Sequence, residues 1–343
     1  MPDLPTSVAV SILASLVLYC LLGGADFGGG IWNLLCRGRR GAAQRELIDH
    51  AIGPVWETNH IWVIVAVVVL FTGFPPAFAA LSTSLFIPVT LMLAGIVLRG
   101  AGFAFHYYNL HEGGGRGRWG TLFASASLLT PLLLGIVIGS VSSGFLRSPA
   151  PGYAGASWEW LSAFPLSVGV LTLAVFSYLA AVYLILETPD AELREDFRRR
   201  ALWSAGTVAL LLLLVLQMAR KGAPEFYQAL LKSRWSTGLV FLTAASGVAS
   251  FAALLLRAYP IARVCAAAQT VLVLVGWGAA QHPYLIRPDI TIATAASPPA
   301  TLRLILVVLA AGALFLFPSI FLLFRIFKRD ALFGSNRKPR PGV

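Results

Sequence analysis

Two carboxylates stand where the surrounding sequence is almost wholly apolar. Asp26 falls in the run GGADFGGGIW and Glu57 in WETNHIW. An ionisable group at membrane depth is costly, and by default it marks an ion or proton path. Positions three apart on a helix share a face, so Glu57 lies alongside His60, one turn further on. The pair makes a two-member proton donor and acceptor series. The competing reading is structural: Glu57, Asn59 and His60 satisfy one another or hold a partner subunit.

Depth brings the two acids together. The first apolar segment ends near Cys36, which leaves Asp26 roughly 15 Å from that boundary at 1.5 Å per residue. The second begins near Ile48, which leaves Glu57 roughly 14 Å from the same boundary. Short connections make consecutive helices neighbours, so Asp26 and Glu57 are expected to share a cavity reached from one side. The glycines around Asp26, among them Gly24 and Gly28, predict close packing of backbones rather than a broken helix. They are not a phosphate loop, because no Lys-Ser/Thr follows and no strand precedes. Trp56, Asn59, Trp62 and Arg99 are expected near the path as polar or packing groups. Arg99 lies about six residues from a helix end, where snorkelling to the interface is the default and pairing with a carboxylate the alternative.

The elements that must position these residues follow from composition. Of 343 residues, 57% are hydrophobic and 12% charged, and the mean hydropathy is +0.78. Soluble domains carry about 25% charge, so a soluble enzyme core is excluded. At about 20 residues per span, nine apolar segments are read at about 8–35, 48–72, 77–105, 121–143, 160–186, 201–218, 236–256, 261–280 and 302–327. In hydrocarbon the backbone must satisfy its own hydrogen bonds, and runs of this length do so as helices. The fold class predicted is an all-α membrane protein of about nine transmembrane helices, forming one polytopic membrane domain over residues 1–343. No positive charge precedes the first apolar run and no small-residue cleavage site follows it, so that segment is expected to remain as a helix.

A net charge of +11 would suggest nucleic acid in a soluble protein. Here it reads as the cytoplasmic excess of basic residues, and no nucleic-acid partner is expected. Of the 26 Lys and Arg, those after segments one, three, five, seven and nine are Arg37, Arg39, Arg40, Arg45, Arg116, Arg118, Arg194, Arg198, Arg199, Arg200, Arg257, Arg263, Arg325, Lys328, Arg329, Arg337, Lys338 and Arg340. The opposite side has Arg147, Arg220, Lys221, Lys232, Arg234, Arg287 and Arg303. The asymmetry predicts the N-terminus outside and the C-terminus in the cytoplasm. The stretch from Arg220 to Arg234 fits this least well.

Cys20, Cys36 and Cys265 have no CxxC spacing and suggest neither a disulfide framework nor a zinc site. A transmembrane haem held by two histidines needs facing imidazoles at matched depth. Of His50, His60, His106, His111 and His282, only His60 lies deep, so this chain is expected to bind no haem or metal by itself. His282 reads as part of an outer cap.

Taken together, GADFGGGIW, IGPVWETNHIW, FTGFPPAFAALSTSLFIPVTLMLAGIVLRGAGFAF and HPYLIRPDITIATAASPPATLR resemble subunit II of the cytochrome bd type quinol oxidases of prokaryotic respiratory membranes. The first third and the C-terminal quarter carry the likeness; the middle matches mainly in hydropathy. The resemblance implies two four-helix bundles plus a peripheral helix in the inner membrane. It implies a homologous-fold subunit I that carries haem b, haem d and the quinol site, while this chain stabilises the complex and contributes a proton pathway. It leaves room for a small single-helix subunit and for membrane lipid and quinone. Asp26 matches the second acid of the family's helix-one motif. Trp56, Glu57, Asn59 and Trp62 match its W-D-G-N-x-x-W pattern, whose acid is associated with proton conduction.

The chain departs from that pattern at Gly23, where another Asp is frequent, and at Glu57 and Thr58, where Asp and Gly are usual. It departs again at Ala104 and His106, where an acid and then a base are usual. Glu57 keeps a titrating carboxylate, while Gly23 and Ala104 remove two, as in a divergent member. The reading implied is a non-haem-bearing subunit, not catalytic alone, in an electrogenic oxidase that oxidises quinol and reduces dioxygen to water. Asp26, Glu57 and His60 would carry protons from the cytoplasm toward the partner's haems. Two alternatives stay open at this point. One is a proton-coupled transporter, although the polar Gly-rich interruption occurs once rather than as a repeat; the other is a purely scaffolding subunit.

Overall fold

A computed structural model of the chain describes residues 3–53, 56–111, 118–146 and 158–327. Of the residues singled out above, Arg116, Arg147, Lys328, Arg329, Arg337, Lys338 and Arg340 lie outside the described residues, as do the side chains of Trp56, His106, His111 and Arg234. The helices are α1 (Leu4–Leu35), α2 (Gly41–Ile52), α3 (Trp56–Asn59), α4 (Ile61–Gly73), α5 (Pro75–Ser84), α6 (Phe86–His111), α7 (Arg118–Ser143), α8 (Ala163–Glu187), α9 (Ala191–Gly222), α10 (Pro224–Lys232), α11 (Arg234–Leu255), α12 (Tyr259–Gln281), α13 (Ile292–Ala295) and α14 (Pro299–Phe327). Between α12 and α13, β1 (Tyr284–Ile286) and β2 (Ile290–Thr291) pair antiparallel. Among the described residues, eight helices are long and apolar enough to cross a membrane, or nine when α2 is joined to α3 and α4 as one bent span.

That bend corrects the sequence reading, which treats 48–72 as a single helix. The second segment turns by 55° between α2 and the α3–α4 stretch. The sequence between the two stretches carries a proline at position 54, which has no N–H to donate to a helix. The third segment is likewise two helices, α5 and α6, because Pro88 cannot donate to the carbonyl of Ser84. By contrast α1 runs unbroken through its glycines. It starts on Asp3, whose side chain accepts from the Thr6 amide at 3.2 Å.

α1 is the central element, packed against α4, α7, α8 and α12. A methyl group at Gly28 would strike the carbonyl oxygen of Phe176, and one at Gly24 would come within 2.7 Å of that ring. The glycines therefore let α1 lie against the backbone of α8, as close packing in lipid requires. Tyr19, Phe27, Trp62, Leu134 and Phe176 form the core beside this contact.

Basic segments that are far apart in sequence meet at one end of the bundle. Arg40 bonds Asp196 at 2.5 and 2.8 Å and Glu192 at 3.1 Å. Arg198 donates to the Leu254 carbonyl at 3.3 Å, and Arg257 approaches Glu195 at 3.8 Å. Asp196 beside Arg40 raises the guanidinium's hold on its proton. The opposite end carries the β-hairpin and α10, where buried Arg287 bonds the Ala280 carbonyl at 2.6 Å and Glu225 at 3.3 Å. The awkward Arg220–Arg234 stretch is thus largely the short helix α10, tied to the hairpin.

Candidate functional site

Asp26 projects from the C-terminal third of α1 and is 6% exposed. Its Oδ2 accepts from Nδ2 of Asn59, a residue of the single turn α3, at 2.6 Å. Along α1, Tyr19, Asp26 and Asn33 recur every seven residues, or two turns, and so form one buried stripe about 10 Å apart. Each member meets the bent second span. The Tyr19 hydroxyl lies 3.5 Å from His60 Nδ1, Asp26 holds Asn59, and Asn33 Nδ2 donates to Asp49 Oδ1 at 3.4 Å. The seven-residue spacing of Tyr19, Asp26 and Asn33 is the signal in the sequence that points to this stripe.

Arg99 reverses an expectation. Instead of snorkelling, its side chain is fully buried, with the guanidinium 4.5 Å from the centre of the Phe27 ring and 5.3 Å from that of Phe123. Its Nε donates to Ser127 Oγ at 3.2 Å, and Nη1 lies 3.3 Å from His60 Nε2. Nη2 is buried without a hydrogen-bond partner among the described residues. An arginine has no acceptor, so that contact needs an unprotonated Nε2, which puts the His60 proton on Nδ1, facing Tyr19. Asp26 is near enough for its charge to act on Arg99. A buried cation held this way, by aromatic faces, a hydroxyl and a nearby anion, avoids the penalty of an isolated charge.

Glu57 stands apart from this cluster. It shares the turn α3 with Asn59 but is exposed on the surface of this chain. Asn59 faces Asp26 while Glu57 faces outward, so the one-turn helix links an inner acid to an outer one. The sequence reading expects Asp26 and Glu57 to share a cavity; the cavity beside Asp26 has a volume of roughly 70 Å³. Its lining includes Asn59, Ala25, Tyr183, Glu187 and Arg263, and Glu57 is not part of it. Trp62 is buried against Phe317 of α14, ring centres 5.9 Å apart, and Gly24 and Gly28 serve the α8 contact. In the sequence Arg263 counts only among the basic residues of one side, and nothing singles out Glu187.

The sequence profile of the cytochrome bd terminal oxidase subunit II family matches residues 4–327. A Bacillus subtilis (strain 168) protein assigned as subunit II of a cytochrome bd menaquinol oxidase is 24% identical over 94% of this chain and 95% of its own length. The cytochrome bd-I ubiquinol oxidase subunit 2 of Escherichia coli (strain K12) is 27% identical over 50% of this chain and 46% of its own. In fold, the chain is similar to one from the bd oxidase of Geobacillus thermodenitrificans, with a TM-score of 0.79 and 24% identity over 97% of this chain and 99% of that one.

Proposed function

The chain belongs to the cytochrome bd terminal oxidase subunit II family, and from that premise we propose that it serves its complex as the proton-delivering partner of a haem-bearing subunit I. It is a multi-pass protein of the prokaryotic cytoplasmic membrane and a subunit of a terminal oxidase complex that contains haems and uses quinol. Membership of this family replaces the transporter reading. In the proposal, haem b and haem d sit on subunit I, quinol is oxidised there, and dioxygen is reduced to water.

Reduction of dioxygen consumes protons, and taking them from the cytoplasm while quinol releases its own outside makes turnover electrogenic. The N-terminus then lies outside and the C-terminus inside, a reading supported by the basic residues gathered at one end of the bundle. Protons reach Asp26 from that end and pass along α3 to Glu57, whose exposure on this chain suits transfer to the neighbouring subunit. His60, hydrogen-bonded between Tyr19 and Arg99, closes the inner end of the path. A protonated His60 would bring a second cation to 3.3 Å from Arg99, and a proton on Nε2 would face a group that cannot accept it, so the part of His60 is to orient its neighbours.

The observation that carries this reading is the buried carboxylate of Asp26, held by Asn59 beside a cavity. One specific feature favours a scaffolding role instead: the charge of Arg99 close to Asp26 could fix helix packing alone. Purification of the tagged chain from its own membrane tests the assembly. The expected result is a copurifying partner, optical bands of b and d haems, and quinol-driven oxygen consumption. Isolation of the chain alone, without haem bands, would refute it.

A further inference from the structure

The path needs a way in, and nothing above supplies one. The cavity beside Asp26 lies among α1, α2, α3, α8 and α12, and its lining contains a second acid, Glu187, and a cation, Arg263. Glu187 is the last residue of α8 and is half-buried. Ala180 packs beside Gly28 of α1, and Glu187 follows it by seven residues, about 10 Å further toward the end where the arginines collect. Tyr183 sits one turn inside Glu187 on the same helix face. The Arg263 guanidinium lies 4.9 Å from the centre of the Tyr183 ring and holds the side of the opening. A space of roughly 70 Å³ with these polar walls holds a few waters, each needing only 10–15 Å³ of such volume and at least two polar partners.

We propose that Glu187 is the proton-intake residue of this chain, taking protons at the basic end and handing them through the cavity it shares with Tyr183 and Asp26. The inference rests on the proton-path reading of Asp26 and adds to it the missing step from bulk water. In that step a protonated Glu187 gives its proton to a water of the cavity, a proton leaves the far end of the water chain for the Asp26 carboxylate, and Glu187 is reprotonated from the cytoplasm. Arg263 and Tyr183 are positioning residues: they keep the opening polar and in register and touch no reacting group of the oxidase.

The test uses the copurified complex in liposomes, following oxygen consumption, proton uptake and haem content in Glu187→Gln, Glu187→Asp, Ala25→Leu and Asp26→Asn. Glu187→Gln is expected to slow proton uptake and turnover about tenfold, less than loss of a group acting on the reacting atoms, with haem unchanged. Glu187→Asp should restore most of the rate. Ala25→Leu, which fills the cavity while leaving every acid in place, should slow uptake as well. If Glu187→Gln and Ala25→Leu run at the parent rate while Asp26→Asn is slow, the intake lies elsewhere and the Asp26 path survives. Should Asp26→Asn also run at the parent rate, the path itself is wrong. Loss of haem in both Glu187 variants would make it a packing residue and overturn the proposal.

Discussion

Asn59 Nδ2 lies 2.6 Å from Asp26 Oδ2, and this bond ties a one-turn helix to the C-terminal third of α1. Both partners are buried, at 3% and 6% exposure, and beyond the small cavity beside them little water is at hand to replace either. Removing the donor leaves a carboxylate short of a partner, a loss of about 1–3 kcal/mol. Asn59→Leu is therefore expected to lower the thermal midpoint of the purified complex, whereas the polar Asn59→Gln should lower it less. Equal midpoints for Asn59→Leu and the parent would show that the bond contributes nothing to stability.

Glu57 is exposed on this chain, so its replacement should not disturb packing. Glu57→Gln keeps size and loses titration; Glu57→Asp keeps titration. The first should depress oxygen consumption with haem content intact, and the second should be nearly silent. Normal turnover and proton uptake in Glu57→Gln would remove Glu57 from the path and strengthen the scaffolding account.

Arg99 and Asp26 carry opposite charges in one buried cluster. Removing one of two opposite buried charges is destabilising, because the other is left less well compensated. Arg99→Met should therefore sharply reduce the amount of assembled complex and its thermal midpoint. Adding Asp26→Asn to Arg99→Met should recover part of the loss. Strictly additive losses in this double-mutant cycle would mean that the two charges are not coupled.

Arg39 and Lys232 are exposed at opposite ends of the bundle. With the N-terminus outside, a cysteine at position 39 should resist a membrane-impermeant thiol reagent added to intact cells, and one at position 232 should react. The native Cys20 and Cys36 are buried and Cys265 is half-buried, so replacement of Cys265 by alanine removes the remaining background. The reverse labelling pattern would invert the topology and move the proton source to the other side.

Much of this arrangement was legible in the sequence where one physical signal dominated. Hydropathy found the spans, because a helix in lipid must be long and apolar whatever it packs against. Counting residues from the ends put Asp26 and the WETN turn at one level, which is where Asp26 meets Asn59. What escaped notice depended on direction rather than depth. The bend between α2 and the α3–α4 stretch rotates the faces that follow it, so Glu57 points outward although it lies level with Asp26. Arg99 reads in sequence as a snorkelling side chain because its distance from the helix end is visible there, while the Phe27 and Phe123 rings that enclose it come from α1 and α7. Glu187 and Arg263 belong to helices almost eighty residues apart in the chain and become neighbours only through the packing of α8 on α12.

The seating of Phe176 against Gly24 and Gly28 has a further consequence. Were α1 to slip past α8 by a single residue, about 1.5 Å along the axis, side chains would be driven into main chain on both sides of the contact. The two walls that bear Asp26 and Glu187 are therefore locked in register, and the bore between them keeps its width during turnover. Proton supply in such a conduit is governed by protonation and by water, with no gate formed by sliding of these two helices.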